Sequence, residues 1–266
     1  MSHTGPTAER VGDYYDKGVD LFPLLWDENI HMGYWTDESD DSSVAVATDR
    51  MTGQLIDRLA PRPGQRILDV GCGLGKPAVA LATAHPVHVV GVTISADQAK
   101  RATERARGTD VEARVTFRHG DGMALPFEDD SFDGAWAFES LLHMEDKPRA
   151  LRELARVLRP GSRLVLADMY HRPREGMGFE GFMATLTSMD DYRELLADAG
   201  FSTLEALDIT AHTVIPETAF AVMKEAMLAR RDELAPITGE EAFEAAIAAD
   251  RTTPPYTYVL ITAHLG

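Results

Sequence analysis

The chain has 266 residues, enough for one full hydrophobic core with elaborations. Its 43 acidic against 26 basic residues give a net charge of -17, which repels nucleic acid and anionic membranes and favours small-molecule ligands. A single cysteine, Cys72, excludes an intrachain disulfide and a cysteine-based zinc site; with no run of about 18 apolar residues and no secretory pattern in Met1 to Arg10, a cytoplasmic location is expected.

Residues 1–60 read as a helical extension, with helices near Glu9–Tyr15 and Val44–Leu59. From Arg66 to His171, short β-branched runs alternate with helical patterns, as in parallel βαβ units. The expected strands are Arg66–Val70, His88–Val92, Arg114–His119, Phe132–Phe138 and Arg163–Asp168. Between them, Asp69 stands at the tip of the first strand, directly before the glycine turn Gly71-Cys72-Gly73-Leu74-Gly75 that opens a helix. Lys76 occupies the third glycine of a dinucleotide fingerprint, and no Gly-Lys-Ser/Thr follows, so the turn fits neither a dinucleotide loop nor a P-loop. Ser95 and Gln98 form a capping box opening a helix that runs to about Gly108. A further helix begins near Asp146 and stops at Pro160-Gly161, and another opens at Ser188 and Asp191 and ends at Gly200. Two more strands, Leu204–Ile209 and Tyr256–His264, close the sheet, with two helical patterns in the 211–253 segment between them. Phe220, Met223 and Met227 share a face of the first of these helices, as core or as lid.

The pattern predicts an α/β fold: a doubly wound, Rossmann-like, mostly parallel seven-stranded sheet with an N-terminal helical extension and a helical lid insertion. Ligands of such sheets bind at the carboxyl ends of the strands. That edge carries Asp69, Thr93, Asp121, Glu139 and Asp168, with His143 in the loop after the fourth strand. Four carboxylates on one cleft call for a cation, either a metal or a cationic organic cofactor. The spacing of a metal site is absent, so no metal is expected.

Taken together, Asp69-Val70-Gly71-Cys72-Gly73, Gly91-Val92-Thr93-Ile94-Ser95 with Gln98, Gly120-Asp121-Gly122-Met123, Ser131-Phe132-Asp133 and Arg156-Val157-Leu158-Arg159-Pro160-Gly161 resemble the ordered motifs of class I S-adenosylmethionine-dependent methyltransferases. The upstream Asp13-Tyr14-Tyr15-Asp16 and Asn29-Ile30-His31-Met32-Gly33-Tyr34-Trp35 resemble the leading segments of bacterial natural-product O-methyltransferases of the rebeccamycin and rifamycin type; cyclopropane-fatty-acid synthases share a looser form. The resemblance implies a cap over 1–60 and a methyltransferase domain over 61–266, with lid insertions at 172–188 and 211–253. It implies S-adenosyl-L-methionine as cofactor, with Asp69, Gly71 and Gly73 beside its methionine portion and Thr93, Ile94 and Gln98 along ribose and adenine. Asp121, Gly122 and Met123 would meet the adenine, Glu139 would lie close to the sulfonium, and Tyr15 and His31 would cover the cofactor. The family often has an acidic residue where Thr93 stands, which shifts weight to Gln98.

For a hydroxyl acceptor the protein must align the oxygen, exclude water and remove a proton. His143 is the candidate base, with Asp168 orienting the imidazole or holding the acceptor hydroxyl. The rebeccamycin-type pattern pairs two histidines here, and Leu142 replaces the first. His171 is a fallback base, and Met177, Phe179, Phe182 and Met183 suggest an apolar acceptor pocket. The expected partner is a small-molecule acceptor, without nucleic acid or membrane, and the expected assembly a monomer or homodimer. The alternatives are C- or N-methylation of a small molecule, for which Tyr34 and Trp35 would flank a carbon acceptor, and a cyclase or binding protein that transfers no methyl.

Overall fold

The computed structural model describes residues 6–18, 29–170, 183–248 and 257–266. His171, Met177, Phe179, Phe182 and the expected strand start at Tyr256 lie outside them. Helices α1 (Ala8–Gly18) and α2 (Val44–Leu59) precede the alternating unit β1 (Arg66–Val70), α3 (Lys76–Ala84), β2 (His88–Thr93), α4 (Ala96–Ala106), β3 (Val115–His119), β4 (Phe132–Phe138), α5 (Lys147–Val157) and β5 (Leu158–Tyr170). Then come α6 (Met189–Asp198), β6 (Phe201–Asp208), α7 (Thr210–Thr213), α8 (Glu217–Ala229), α9 (Arg231–Thr238), α10 (Glu240–Ala248) and β7 (Thr257–Leu265). The seven strands form one sheet in the order β3-β2-β1-β4-β5-β7-β6, with β7 antiparallel to both neighbours and the other pairs parallel. The expected fold class is the one found.

Strand parity builds the core, because successive side chains leave a strand on opposite faces. Leu68, Val70, Ala135, Ala137, Leu164 and Leu166 pack with Leu151 and Leu154 of α5 and Tyr192 and Leu196 of α6. Ile67, Val89, Trp136, Val165 and Ala167 pack on the other face with Met51, Leu55 and Ile56 of α2 and Ala78 and Leu81 of α3. The extension therefore shares its apolar core with the sheet.

Three details depart from the expectation. Pro160-Gly161 does not end a helix: α5 stops at Val157, and the pair lies where β5 slips against β4 between Phe132 and Gly134, with Gly161 at φ 83°. Strand β6 begins at Phe201, whose side chain is buried, whereas Leu204 is 60% exposed on the sheet edge. The 211–248 stretch holds four helices where two were expected, broken at Arg230 and at Gly239, whose φ of 87° suits glycine. Phe220 and Met223 pack half-buried on Trp35 and Ala47, and Met227 on Leu234 and Phe243, in two small clusters apart from the core of the sheet.

Candidate active site

At the carboxyl ends of β1, β2 and β4 the structure opens a cleft to solvent. Tyr15, Gly71, Gly73, Thr93, Ile94, Gln98, Asp121, Gly122, Met123, Glu139 and His143 line it. Asp69 and His31 line a second, smaller cavity that shares Ile30, Gly71, Gly73 and Phe138 with the first. Ala8, Val11 and Ile30 complete the apolar wall. The sequence offered no signal for them beyond their place beside the aromatic segments.

The glycine turn brings backbone into the cleft. Gly71 sits at φ 82°, and a Cβ there would stand 2.2 Å from the Ser140 Cβ. Its N–H and that of Cys72 both donate to the Val92 carbonyl, which ties the turn to β2. Cys72 is buried, with its thiol pushed up by burial, and fills the space over Gly91.

Asp69 is 1% exposed, and its Oδ2 has no hydrogen-bond partner among the described residues. Burial pushes the carboxyl up to about 7, offset in part by the Trp136 indole opposite it on β4, whose buried Nε1 also makes no hydrogen bond among the described residues. A buried carboxylate oxygen left unpaired is costly, and a ligand carrying positive charge would satisfy it. Glu139, in the left-handed region at φ 45°, is held by one oxygen: Oε1 accepts from the Met32 N–H at 2.6 Å and the Tyr258 hydroxyl at 2.7 Å. Burial pushes it, too, up to about 7. Met32 and Tyr258, distant in sequence, were not foreseen as its partners.

Thr93 donates its hydroxyl to Gln98 Oε1 at 2.7 Å. The capping box is therefore half-formed: Ser95 Oγ accepts from the Gln98 N–H at 3.0 Å, but the Ser95 N–H goes to Thr93 Oγ1 instead of the Gln98 side chain. Asp16 of α1 closes over this corner, accepting from the Ser95 hydroxyl and, at 3.4 Å, from the Asp97 N–H. Asp121 Oδ1 accepts from the Met123 N–H at 2.8 Å. His31 stacks on Phe138 with ring centroids 3.8 Å apart and donates from Nδ1 to the Met32 carbonyl, and burial lowers it to about 4.

His143 ends the 3₁₀ turn Leu141–His143. Its Nδ1 lies 2.9 Å from the Met183 carbonyl, which can only accept, so Nδ1 carries the proton. Nε2 is then the lone-pair nitrogen, and it accepts from the Tyr15 hydroxyl at 2.8 Å. Burial lowers the imidazole to about 4, so it is neutral at neutral pH. Asp168, expected to orient this ring or hold the acceptor, meets neither the ring nor the cleft. Strand parity sends it to the α5/α6 face, where it accepts from the Leu142 N–H, the Met169 N–H and the Tyr192 hydroxyl. Burial pushes it up to about 7. Among the described residues, no three His, Cys, Asp or Glu converge as metal ligands, and no helix is long and apolar enough to cross a membrane.

Comparison with known proteins agrees with this geometry. The methyltransferase-domain family profile matches residues 68–166. The chain is 40% identical to the 27-O-demethylrifamycin SV methyltransferase of Amycolatopsis mediterranei, covering 98% of both chains. It is 39% identical to methyltransferase GfsG of Streptomyces halstedii, covering 96% of this chain and 94% of that one. Among solved structures, the [4+2]-cyclase SpnF superposes with a TM-score of 0.84 at 32% identity, covering 98% and 97% of the two chains. With the motifs in order on this sheet, and a buried unpaired carboxylate oxygen beside a glycine turn that fit a cationic cofactor, the chain belongs to the S-adenosylmethionine-dependent methyltransferases.

Proposed function

We propose that the protein transfers a methyl group from S-adenosylmethionine to a hydroxyl oxygen of a small natural product, with His143 as general base. The observation that carries this reading is Nε2 of His143: a neutral, lone-pair nitrogen at the cleft, its tautomer set by the Met183 carbonyl. The Tyr15 hydroxyl, 2.8 Å away, marks the place from which an acceptor hydroxyl would give up its proton. The 27-O-demethylrifamycin SV methyltransferase, matched over nearly the whole chain, supports it.

When bound, the cofactor supplies a methyl group activated by its sulfonium. Asp69 with the Gly71–Gly73 backbone would hold the methionine portion, the Thr93–Gln98 pair and Ile94 the ribose and adenine, and Asp121, Gly122 and Met123 the far side of the adenine. Glu139, pinned by one oxygen, would offer the other to positive charge, and Tyr15 and His31 would cover the site. Val11, Ile30, Phe138 and Met144 supply the apolar wall that excludes water. In this reading residues 1–60 act as the cofactor cap and 211–253 as the acceptor-side cover.

The test is incubation with methyl-labelled cofactor and a panel of hydroxylated natural products. Label recovered as an O-methyl ether supports the reading; tight cofactor binding with no label transfer to any hydroxyl counts against it. A second reading, ring closure without methyl transfer, is favoured by the likeness to the [4+2]-cyclase. It predicts conversion of a substrate carrying a diene and an alkene to a cyclised isomer of unchanged mass, without label.

A further inference from the structure

The residues on either side of His143 are each pinned by a buried charge. The Leu142 N–H donates to Asp168 Oδ2 at 3.0 Å, and the Met144 carbonyl accepts from Lys147 Nζ at 3.2 Å. Asp168 is 1% exposed and Lys147 6%. The same Asp168 oxygen that holds Leu142 accepts from the Tyr192 hydroxyl at 2.8 Å. Tyr192 is wholly buried in the cluster that holds Leu151, Leu154 and Leu196, and its hydroxyl also meets the side chain of Thr187. A buried hydroxyl costs free energy unless it is hydrogen-bonded, and this one is spent on the carboxylate beneath the turn. A second grip comes from the other side: the Thr185 N–H donates to the Leu142 carbonyl at 2.8 Å, two residues from the Met183 carbonyl that receives His143.

We infer that Tyr192 is a positioning residue for the reaction: it fixes the Asp168 carboxylate, which through the Leu142 amide sets the turn that presents His143 to the cleft. The inference rests on His143 being the base. It removes Asp168 from contact with the acceptor and gives it a role one step back, with Tyr192, 24 residues away in sequence, as its partner. Without the Tyr192 hydroxyl, Asp168 Oδ2 keeps only the Leu142 N–H, and the carboxylate, still tied through Oδ1 to the Met169 N–H, is less firmly set against Leu142. A displacement of His143 by a fraction of an ångström suffices to lower the rate without altering the cofactor pocket, because proton transfer depends steeply on geometry.

A double-mutant cycle tests this, measuring kcat, acceptor KM and cofactor Kd for wild type, Tyr192→Phe, His143→Ala and the double variant. The expected result is that Tyr192→Phe lowers kcat by about 10- to 100-fold, with KM and Kd within about 2-fold. In the His143→Ala background the same change should cost about 2-fold or less, because the residue it acts through is gone. An equal cost in both backgrounds, or no cost in the wild type, overturns the inference. Full activity in His143→Ala alone sinks the base assignment itself, and is read separately from the Tyr192 arm. If Tyr192→Phe does not fold, the cycle is run with Asp168→Asn, whose amide oxygen can take only part of the three bonds; the same non-additivity with His143→Ala is expected, and additivity overturns the inference.

Discussion

The Asp69→Asn substitution separates the stability of the cofactor-free protein from its affinity for a cation. Asn fills the same volume but cannot ionise. The carboxyl titrates near 3.8 when unfolded and at about 7 in the fold. A raised acid value means that the contribution is fully present below the unfolded value and is lost as pH rises through the folded one. Between the two values the unfolded carboxyl ionises while the folded one keeps its proton, which costs the fold about 1.4 kcal/mol per pH unit. The cost is close to zero at pH 3, roughly 1.7 kcal/mol at pH 5 and about 4 kcal/mol at pH 8, as an upper bound for one group. Asp69→Asn should therefore melt above the cofactor-free wild type at pH 8, by about 8–16 °C at most, with the difference vanishing towards pH 3. A cationic ligand offsets the cost in the wild type alone, so the variant should bind S-adenosylmethionine about 100-fold more weakly or worse. The assay is scanning calorimetry from pH 4 to 8 without cofactor, paired with titration calorimetry at pH 8. Parallel pH dependences in the two proteins, or equal cofactor affinities, would refute the reasoning.

Two further substitutions probe the walls of the cleft. Gly71→Ala forces an L-residue to φ 82° and drives a Cβ to 2.2 Å from Ser140, whose hydroxyl is tied to the Val70 carbonyl. Backbone strain of about 1–2 kcal/mol and overpacking of about 1–3 kcal/mol should lower the denaturant midpoint and abolish measurable cofactor binding; a variant that binds normally would show that the turn does not approach the ligand. Asp16→Ala releases α1 from the Ser95 hydroxyl and the Asp97 N–H. It should raise the cofactor Kd by about 3- to 10-fold, the worth of one or two such bonds, with kcat at saturation unchanged; an unchanged Kd would show that α1 is not a cofactor cap.

How far the sequence reached can be judged from individual residues. Strands β1, β2 and β4 were legible as short, mainly apolar runs and β3 by its β-branched and aromatic Val115-Thr116-Phe117, and the strand ends placed Asp69, Thr93, Asp121, Glu139 and His143 at one edge. Parity hid the rest. β5 runs two residues past Asp168, to Tyr170, and an even-numbered position there faces α5 and α6, so the Asp168 carboxylate lies behind the turn that carries His143. Which face a strand-end side chain takes is decided by one residue of register, and the motif spacing does not carry that information. Partners supplied from far along the chain were equally invisible: Tyr258 on Glu139, Asp16 on Ser95 and Met183 on His143 pair residues 119, 79 and 40 positions apart. The capping box was read correctly at its serine and missed at its glutamine, because Thr93, two residues before the cap, offers the Ser95 N–H a nearer acceptor.

The most direct test of the account compares wild type and His143→Ala in single-turnover methyl transfer from labelled S-adenosylmethionine to a hydroxyl acceptor, with both enzymes saturated in cofactor. The account predicts equal cofactor affinity and a transfer rate at least about 100-fold lower in the variant. In the wild type the rate should not fall with His143 protonation until pH approaches about 4. Equal transfer rates in the two proteins would contradict it.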